Sequence, residues 1–143
     1  MKQYYVSAIL LFSFFLFNGC NDILECIINV RPELANKTLD HGHVNEYYSE
    51  TITAQVKNEP HDNGYDYYFT VSGNIPAGIE VYYDYREVIF EGIPQEPGRY
   101  TIRVSLYVEA INECYFDEFE GREICHDPLC SNNTSRVYTL VVR

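Results

Sequence analysis

Along residues 100–109 apolar and polar positions alternate without a break. Tyr100, Ile102, Val104, Leu106 and Val108 fall on one side of an extended chain, and Thr101, Arg103, Ser105, Tyr107 and Glu109 on the other. Successive side chains of a strand point to opposite faces, so this period of two marks a strand with one face against a core. Shorter runs of the same kind cover residues 24–30, 49–57 (Ile52, Ala54 and Val56 inward), 65–71, 79–83, 87–90 and 136–142. Seven strands and no helix follow. Between them Asn63-Gly64, Pro76-Ala77-Gly78 and residues 92–98, with Gly92, Pro94, Pro97 and Gly98, supply the backbone angles that turns need. Short strands spaced in this way predict an all-β antiparallel sandwich of about seven strands.

The residues between 44 and 108 resemble the immunoglobulin-like domains of bacterial proteins, relatives of cadherin-like and dystroglycan-type modules. EYYSETITA at 46–54 is similar to their strand start, YFTVSGNIPAGIEV at 68–81 to their "LPxGL" segment, and VIFEGIPQEPGRYTIRVSL at 88–106 to their "IxGTPxxxGxYxFxVxV" element. The resemblance covers about half the chain and implies an immunoglobulin-like sandwich. Two positions depart from it. Ile93 stands where Thr is usual, and Val108-Glu109 where many members place an Asp used for calcium, so the family's calcium site is not carried over. In the fold it implies, the first strand lies parallel to the last, which would bring residues 24–30 beside 136–142. Tyr100 takes the place of a tyrosine whose hydroxyl bonds back to nearby backbone.

Ahead of the strands, residues 1–20 carry Lys2, an apolar run over 6–17, and then Gly19-Cys20. A run of about a dozen residues is shorter than the roughly 20 that cross a bilayer as a helix. It reads as a signal peptide, and its end resembles the lipobox of bacterial lipoproteins, with Phe17 where Leu is usual. The expected organisation is a signal peptide over 1–19, a lipidated Cys20 opening a tether over 20–23, and one sandwich over 24–143. The mature chain of 124 residues suits one domain. Asn21 is not the Asp that resembles an inner-membrane retention signal, so the expected location is the cell envelope with the outer membrane preferred.

Charge narrows the partners. The chain carries a formal −11, and −12 once Lys2 leaves with the leader. Such a surface repels phosphate backbones and anionic headgroups, so no nucleic acid is expected and no membrane contact beyond the lipid anchor. Basic protein patches are its natural counterparts. With Cys20 acylated, Cys26, Cys114, Cys125 and Cys130 remain, an even number in an oxidising compartment. Four cysteines allow three pairings; the sandwich arrangement favours Cys26 with Cys130, leaving Cys114 with Cys125 to close a hairpin extension. None of the spacings is CxxC, and no metal site is expected.

The connection over 110–135 is far longer than a hairpin loop of about 2 to 5 residues, and loops of this length are usually functional or disordered. Its cysteines argue for order. Tyr115, Phe116 and Phe119, interleaved with Asp117, Glu118 and Glu120, are the candidate binding residues. Acids at loosely alternate positions also leave calcium as a lesser alternative. His41-Gly42-His43 would place two imidazoles on one side of a strand, with no recognisable third ligand. Tyr65, Tyr67, Tyr68, Tyr82, Tyr83 and Tyr85, taken as neighbouring strands, raise carbohydrate binding as another alternative. No serine lies in a GxSxG turn and no cysteine is left over as a nucleophile, so no enzyme and no cofactor are expected. The functional expectation is a lipid-anchored, protein-binding or adhesion-type module of the bacterial envelope, the alternative being a structural accessory subunit of an envelope complex.

Overall fold

The computed structural model describes residues 26–143 apart from 112, 113, 120 and 125–128. Seven strands build the sandwich: β1 (Arg31–Leu34), β2 (Tyr48–Lys57), β3 (Tyr65–Gly73), β4 (Ile79–Asp84), β5 (Glu87–Gly92), β6 (Gly98–Ala110) and, last in the chain, β9 (Asn133–Val142). Two further strands, β7 (Tyr115–Asp117) and β8 (Arg122–Ile124), form a hairpin inside the long connection. One sheet has the order β1-β2-β5-β4 and the other β3-β6-β9, all neighbours antiparallel. That is the strand arrangement of a constant-type immunoglobulin sandwich.

Burial follows the alternation. Ile102, Val104, Leu106 and Val108 of β6 and Ile52, Ala54 and Val56 of β2 are buried, and they meet Val88 and Phe90 of β5 and Tyr138, Leu140 and Val142 of β9. Burying each such side chain stabilises by about 1.5–3 kcal/mol, so the inward face of β6 is the backbone of the core. Tyr100 donates its hydroxyl to the Glu96 carbonyl at 3.1 Å, the backbone contact expected of it.

The first strand departs from expectation. Of the expected span 24–30, residues 24 and 25 lie outside the described residues and 26–30 form no strand; β1 begins at Arg31 and contains Pro32. An edge strand tolerates that proline, since the missing N–H removes no ladder bond on its open side. Ile27 and Ile28 face solvent, with no opposing sheet to bury them. The segment is instead drawn across to the start of β9 by the Cys26–Cys130 disulfide and by the Cys130 N–H on the Val30 carbonyl at 2.8 Å. The parallel contact with the last strand is made further on, by residues 42–44. Gly42 donates to Val141, Arg143 to Gly42, and Val44 to Arg143, each at 2.9 Å. The stretch leading there is held by Glu50, which accepts the Asp40 N–H at 3.1 Å and the Lys37 ammonium. Burial alone would raise this carboxyl's pKa, but those bonds outweigh it and hold it low.

Strand directions place the connections at two ends. The β2–β3 connection, the β4–β5 turn, the β6–β9 connection and Cys26 share one end. The β3–β4 and β5–β6 connections and the C-terminus share the other. At that second end Gly78 (φ +89°) and Gly92 (φ +142°) press backbone to backbone, and the Ile93 N–H reaches the Gly78 carbonyl at 2.9 Å. A Cβ on Gly78 would lie 2.1 Å from the Ile93 oxygen, and one on Gly92 2.1 Å from the Gly78 oxygen. This close approach accounts for both glycines of the IPAGI and EGIPQ segments. We therefore expect Gly78→Ala to cost about 1–3 kcal/mol, read as a lowered urea midpoint at unchanged m-value. An unchanged midpoint would show that the approach is not required.

Candidate functional site

The end that carries Cys26 gathers most of what stands out from a plain sandwich. The β6–β9 connection leaves β6 where the Ile111 N–H bonds to the Gly64 carbonyl at 2.8 Å, and it re-enters β9 at the Cys26–Cys130 bridge. Between them β7 and β8 pair only with each other, in the register Tyr115–Ile124, Phe116–Glu123 and Asp117–Arg122. The turn is tightened by the Phe119 N–H on Asp117 Oδ1 and the Gly121 N–H on the Asp117 carbonyl, both at 2.8 Å, and Gly121 takes the left-handed φ of +65°. An extension built this way presents its tip to solvent. Phe119 is 98% exposed and Phe116 64%, with Asp117 and Glu118 beside them. Cys114, just ahead of β7, is disulfide-bonded. Glu120 and Cys125, expected to contribute to the surface and to the second bridge, lie outside the described residues.

Beneath the hairpin, the sequence pattern does not reveal a clamp that joins the two sheets. The Arg86 guanidinium, in the two-residue β4–β5 turn, meets both oxygens of Asp62 at 2.8 Å and stands 5.2 Å from the ring centres of Tyr67 and Tyr85. A bidentate pair with stacked rings is geometry that Arg meets and Lys does not. Tyr85 is held at φ +40°, which costs a non-glycine residue about 1–2 kcal/mol. Its hydroxyl, between the Asn63 and Tyr65 carbonyls at 3.2 and 3.3 Å, helps offset that cost. The clamp fixes the β2–β3 connection against the β4–β5 turn and so gives the hairpin a rigid base.

The tyrosines do not share one sheet. β3 and β4 are edge strands of opposite sheets and face each other across the open side of the sandwich. Tyr65 is buried in the core, Tyr68 lies on the outer face against Tyr107, and Tyr82 turns away to Glu80. The rings of Tyr67, Phe69, Tyr83 and Tyr85 pair across that side, and Tyr68 also lines the space there. Phe69 stacks on Tyr83 at 6.4 Å and Tyr67 meets Tyr85 edge-on at 5.4 Å, lining a groove of about 350 Å³ with Asp66 at its rim. The hydroxyls of Tyr67 and Tyr85 are turned to backbone carbonyls, so the groove offers ring surface more than hydrogen bonds.

His41 and His43 are both exposed, flanking the Gly42 bridge to β9 at the opposite end. Among the described residues no three His, Cys, Asp or Glu side chains gather as a metal site would require, and no helix is long and apolar enough to cross a membrane.

No protein-family model and no curated protein matches the chain. Solved structures do resemble it. An endo-fucoidan hydrolase from glycoside hydrolase family 107 is 17% identical over 85% of this chain and 18% of its own, with a TM-score of 0.51. Murine CRIg (9%, covering 78% of this chain and 98% of its own, TM-score 0.47) and titin M4 (12%, 78% and 95%, TM-score 0.45) are also similar. The chain thus spans under a fifth of the hydrolase's length, and identities this low speak for the fold alone. With the strand order above, that fold is an immunoglobulin-like β-sandwich.

Burial raises the phenol pKa values of Tyr48 and Tyr138, and it pushes Tyr67 up to about 12 even though Arg86 partly opposes it. In the unfolded chain these groups titrate near 10. The folded state then holds their protons more tightly, so their share of stability is complete below about pH 10 and is lost as pH rises through the folded values. Urea midpoints should be flat for these groups up to pH 10 and fall above it, with a shallower fall in Tyr67→Phe. The same slope in that variant would mean that Tyr67 titrates as if exposed.

Proposed function

We propose that the chain is a lipid-anchored interaction module of a bacterial cell envelope. Cys20 carries the lipid, the sandwich is the scaffold, and the β7–β8 hairpin is the contact with a basic surface on a protein partner. The observation that carries this reading is the hairpin tip. Two phenylalanines exposed to solvent beside carboxylates, on a short extension anchored over a clamped base, have the anatomy of an aromatic anchor in a charged rim. Bracing keeps Phe116 and Phe119 presented at reduced entropic cost, while Asp117, Glu118 and Glu120 steer a basic partner. Tyr115 belongs to the same strand. The second bridge, Cys114 with Cys125, would close the hairpin; the disulfide at Cys114 and the Tyr115–Ile124 pair beside it support this. The immunoglobulin-like fold fits an interaction module in general, and no catalytic role is proposed.

Two experiments test separate halves. Cys20→Ala, followed by labelling with a palmitate analogue, should yield unlabelled protein that leaves the membrane fraction; label and membrane partition that persist would remove the lipid anchor from the account. Replacing residues 115–123 with a short Gly-Ser linker should abolish capture of the envelope partner while the melting temperature stays within about 2 °C, since the exposed tip contributes little to the core. A large loss of stability would make the aromatics structural, and unchanged capture would take the hairpin out of the function.

A further inference from the structure

The start of the described chain, at Cys26, and the hairpin are at the same end of the molecule. The Cys26–Cys130 bridge fastens the start of the domain at the mouth of the β6–β9 connection, and Asn58 Nδ2 holds the Asn29 carbonyl there at 2.9 Å. Cys26 follows Cys20 by six residues, which span at most about 20 Å when fully extended. The sandwich is longer: β6 alone has 13 residues, about 43 Å from end to end. A tether of that reach keeps the end it is fixed to within about 20 Å of the membrane and rules out an upright domain with the opposite end down.

A second observation points the same way. Among the described residues, seven large hydrophobics other than tyrosine are exposed: Ile27, Ile28, Ile93, Ile111, Phe116, Phe119 and Val137. Five of them, all but Ile93 and Val137, lie at the end where the tether begins. Concentrated at one end, these side chains offer apolar area that a contact there would bury. Carboxylates share that end, Glu59, Asp66, Glu109, Asp117 and Glu118 among them. Anionic headgroups repel them, so bare lipid is a poor occupant, whereas a basic protein surface is complementary in charge and buries the apolar groups as well.

We infer that the domain hangs with its hairpin end toward the bilayer, and that the partner this end takes is a membrane-resident protein presenting a basic surface close to the headgroups. This rests on the anchoring of Cys20 proposed above and deepens it. The short tether then acts as an affinity device. It confines the hairpin to a thin layer over the bilayer, where the effective concentration of a membrane-held partner is high.

Orientation is tested with the full chain, processed in a bacterial host, purified and reconstituted in phosphatidylethanolamine/phosphatidylglycerol vesicles that carry a headgroup-attached quencher. A fluorescent amino acid at position 119 should be quenched and one at position 95, in the β5–β6 connection, should not. Equal quenching at both, or stronger quenching at 95, overturns the orientation. Protein that is unacylated by mass and fails to bind the vesicles marks failure of the anchor reading instead. For the partner, a photo-crosslinking residue at position 119 is irradiated in intact cells. An adduct with an integral membrane protein is expected, and it should drop about tenfold when about 20 Gly-Ser residues are inserted between Asn21 and Asp22, since effective concentration falls roughly as the −3/2 power of tether length. Adducts with lipid only, adducts with a soluble protein, no adduct, or yield indifferent to the insertion would each overturn it.

Discussion

The Cys26–Cys130 bond is the constraint on which the rest of the molecule turns. It joins residues 104 apart in sequence and fastens the chain's entry, which the Arg31–Lys57 pairing puts at this end of the sandwich, to the start of β9. Closing a loop of that size removes much of the freedom of the unfolded chain, and loop-entropy arguments put such bridges at about 2–4 kcal/mol, with the mechanism still debated. The orientation it imposes matters more. Without it, residues 26–30 would be held to the domain only by the Val30 and Asn29 carbonyl bonds and the burial of Val30. With it, the entry point, the β6–β9 connection and the β2–β3 connection form one structural unit.

That unit stands on a core which needs no special device. Alternation along β6 and β2 buries one face of each sheet, and the Gly78–Gly92 approach and the Tyr100 hydroxyl set the geometry of the far end. The near end is held differently, by polar and aromatic contacts. Arg86, paired with Asp62 and lying between Tyr67 and Tyr85, ties a turn of one sheet to a connection leading into the other. The strained φ of Tyr85 lies in this clamp and not in the core.

How much of this is legible in the residues depends on the range of the interaction. The strands β2 to β6 and β9 are legible, because a period of two is what an extended chain with one buried face produces and what a helix does not. Residues 24–30 show the same alternation, yet the described ones, 26–30, form no strand, since alternation does not reveal whether an opposing sheet exists to bury it. The hairpin is legible as a cysteine-bearing insertion, and its exposed aromatics are among the residues expected to bind. The tyrosines are not: composition does not say which sheet a strand joins, and β3 and β4 join opposite ones. Arg86 and Asp62 are invisible in the sequence, being 24 residues apart with nothing in either neighbourhood to announce the other. The pairing of Cys26 with Cys130 is expected for a partly mistaken reason, since residues 42–44, and not 26–30, run beside β9.

The most direct test of the central claim is the disulfide map of the protein. Proteolysis without reduction, followed by mass spectrometry, should recover a peptide containing Cys26 joined to one containing Cys130, and Cys114 joined to Cys125. A Cys125–Cys130 peptide with Cys26 free or paired elsewhere would unfasten the residues ahead of β1 and lengthen the free segment before the domain, and the orientation built on a short tether would fall.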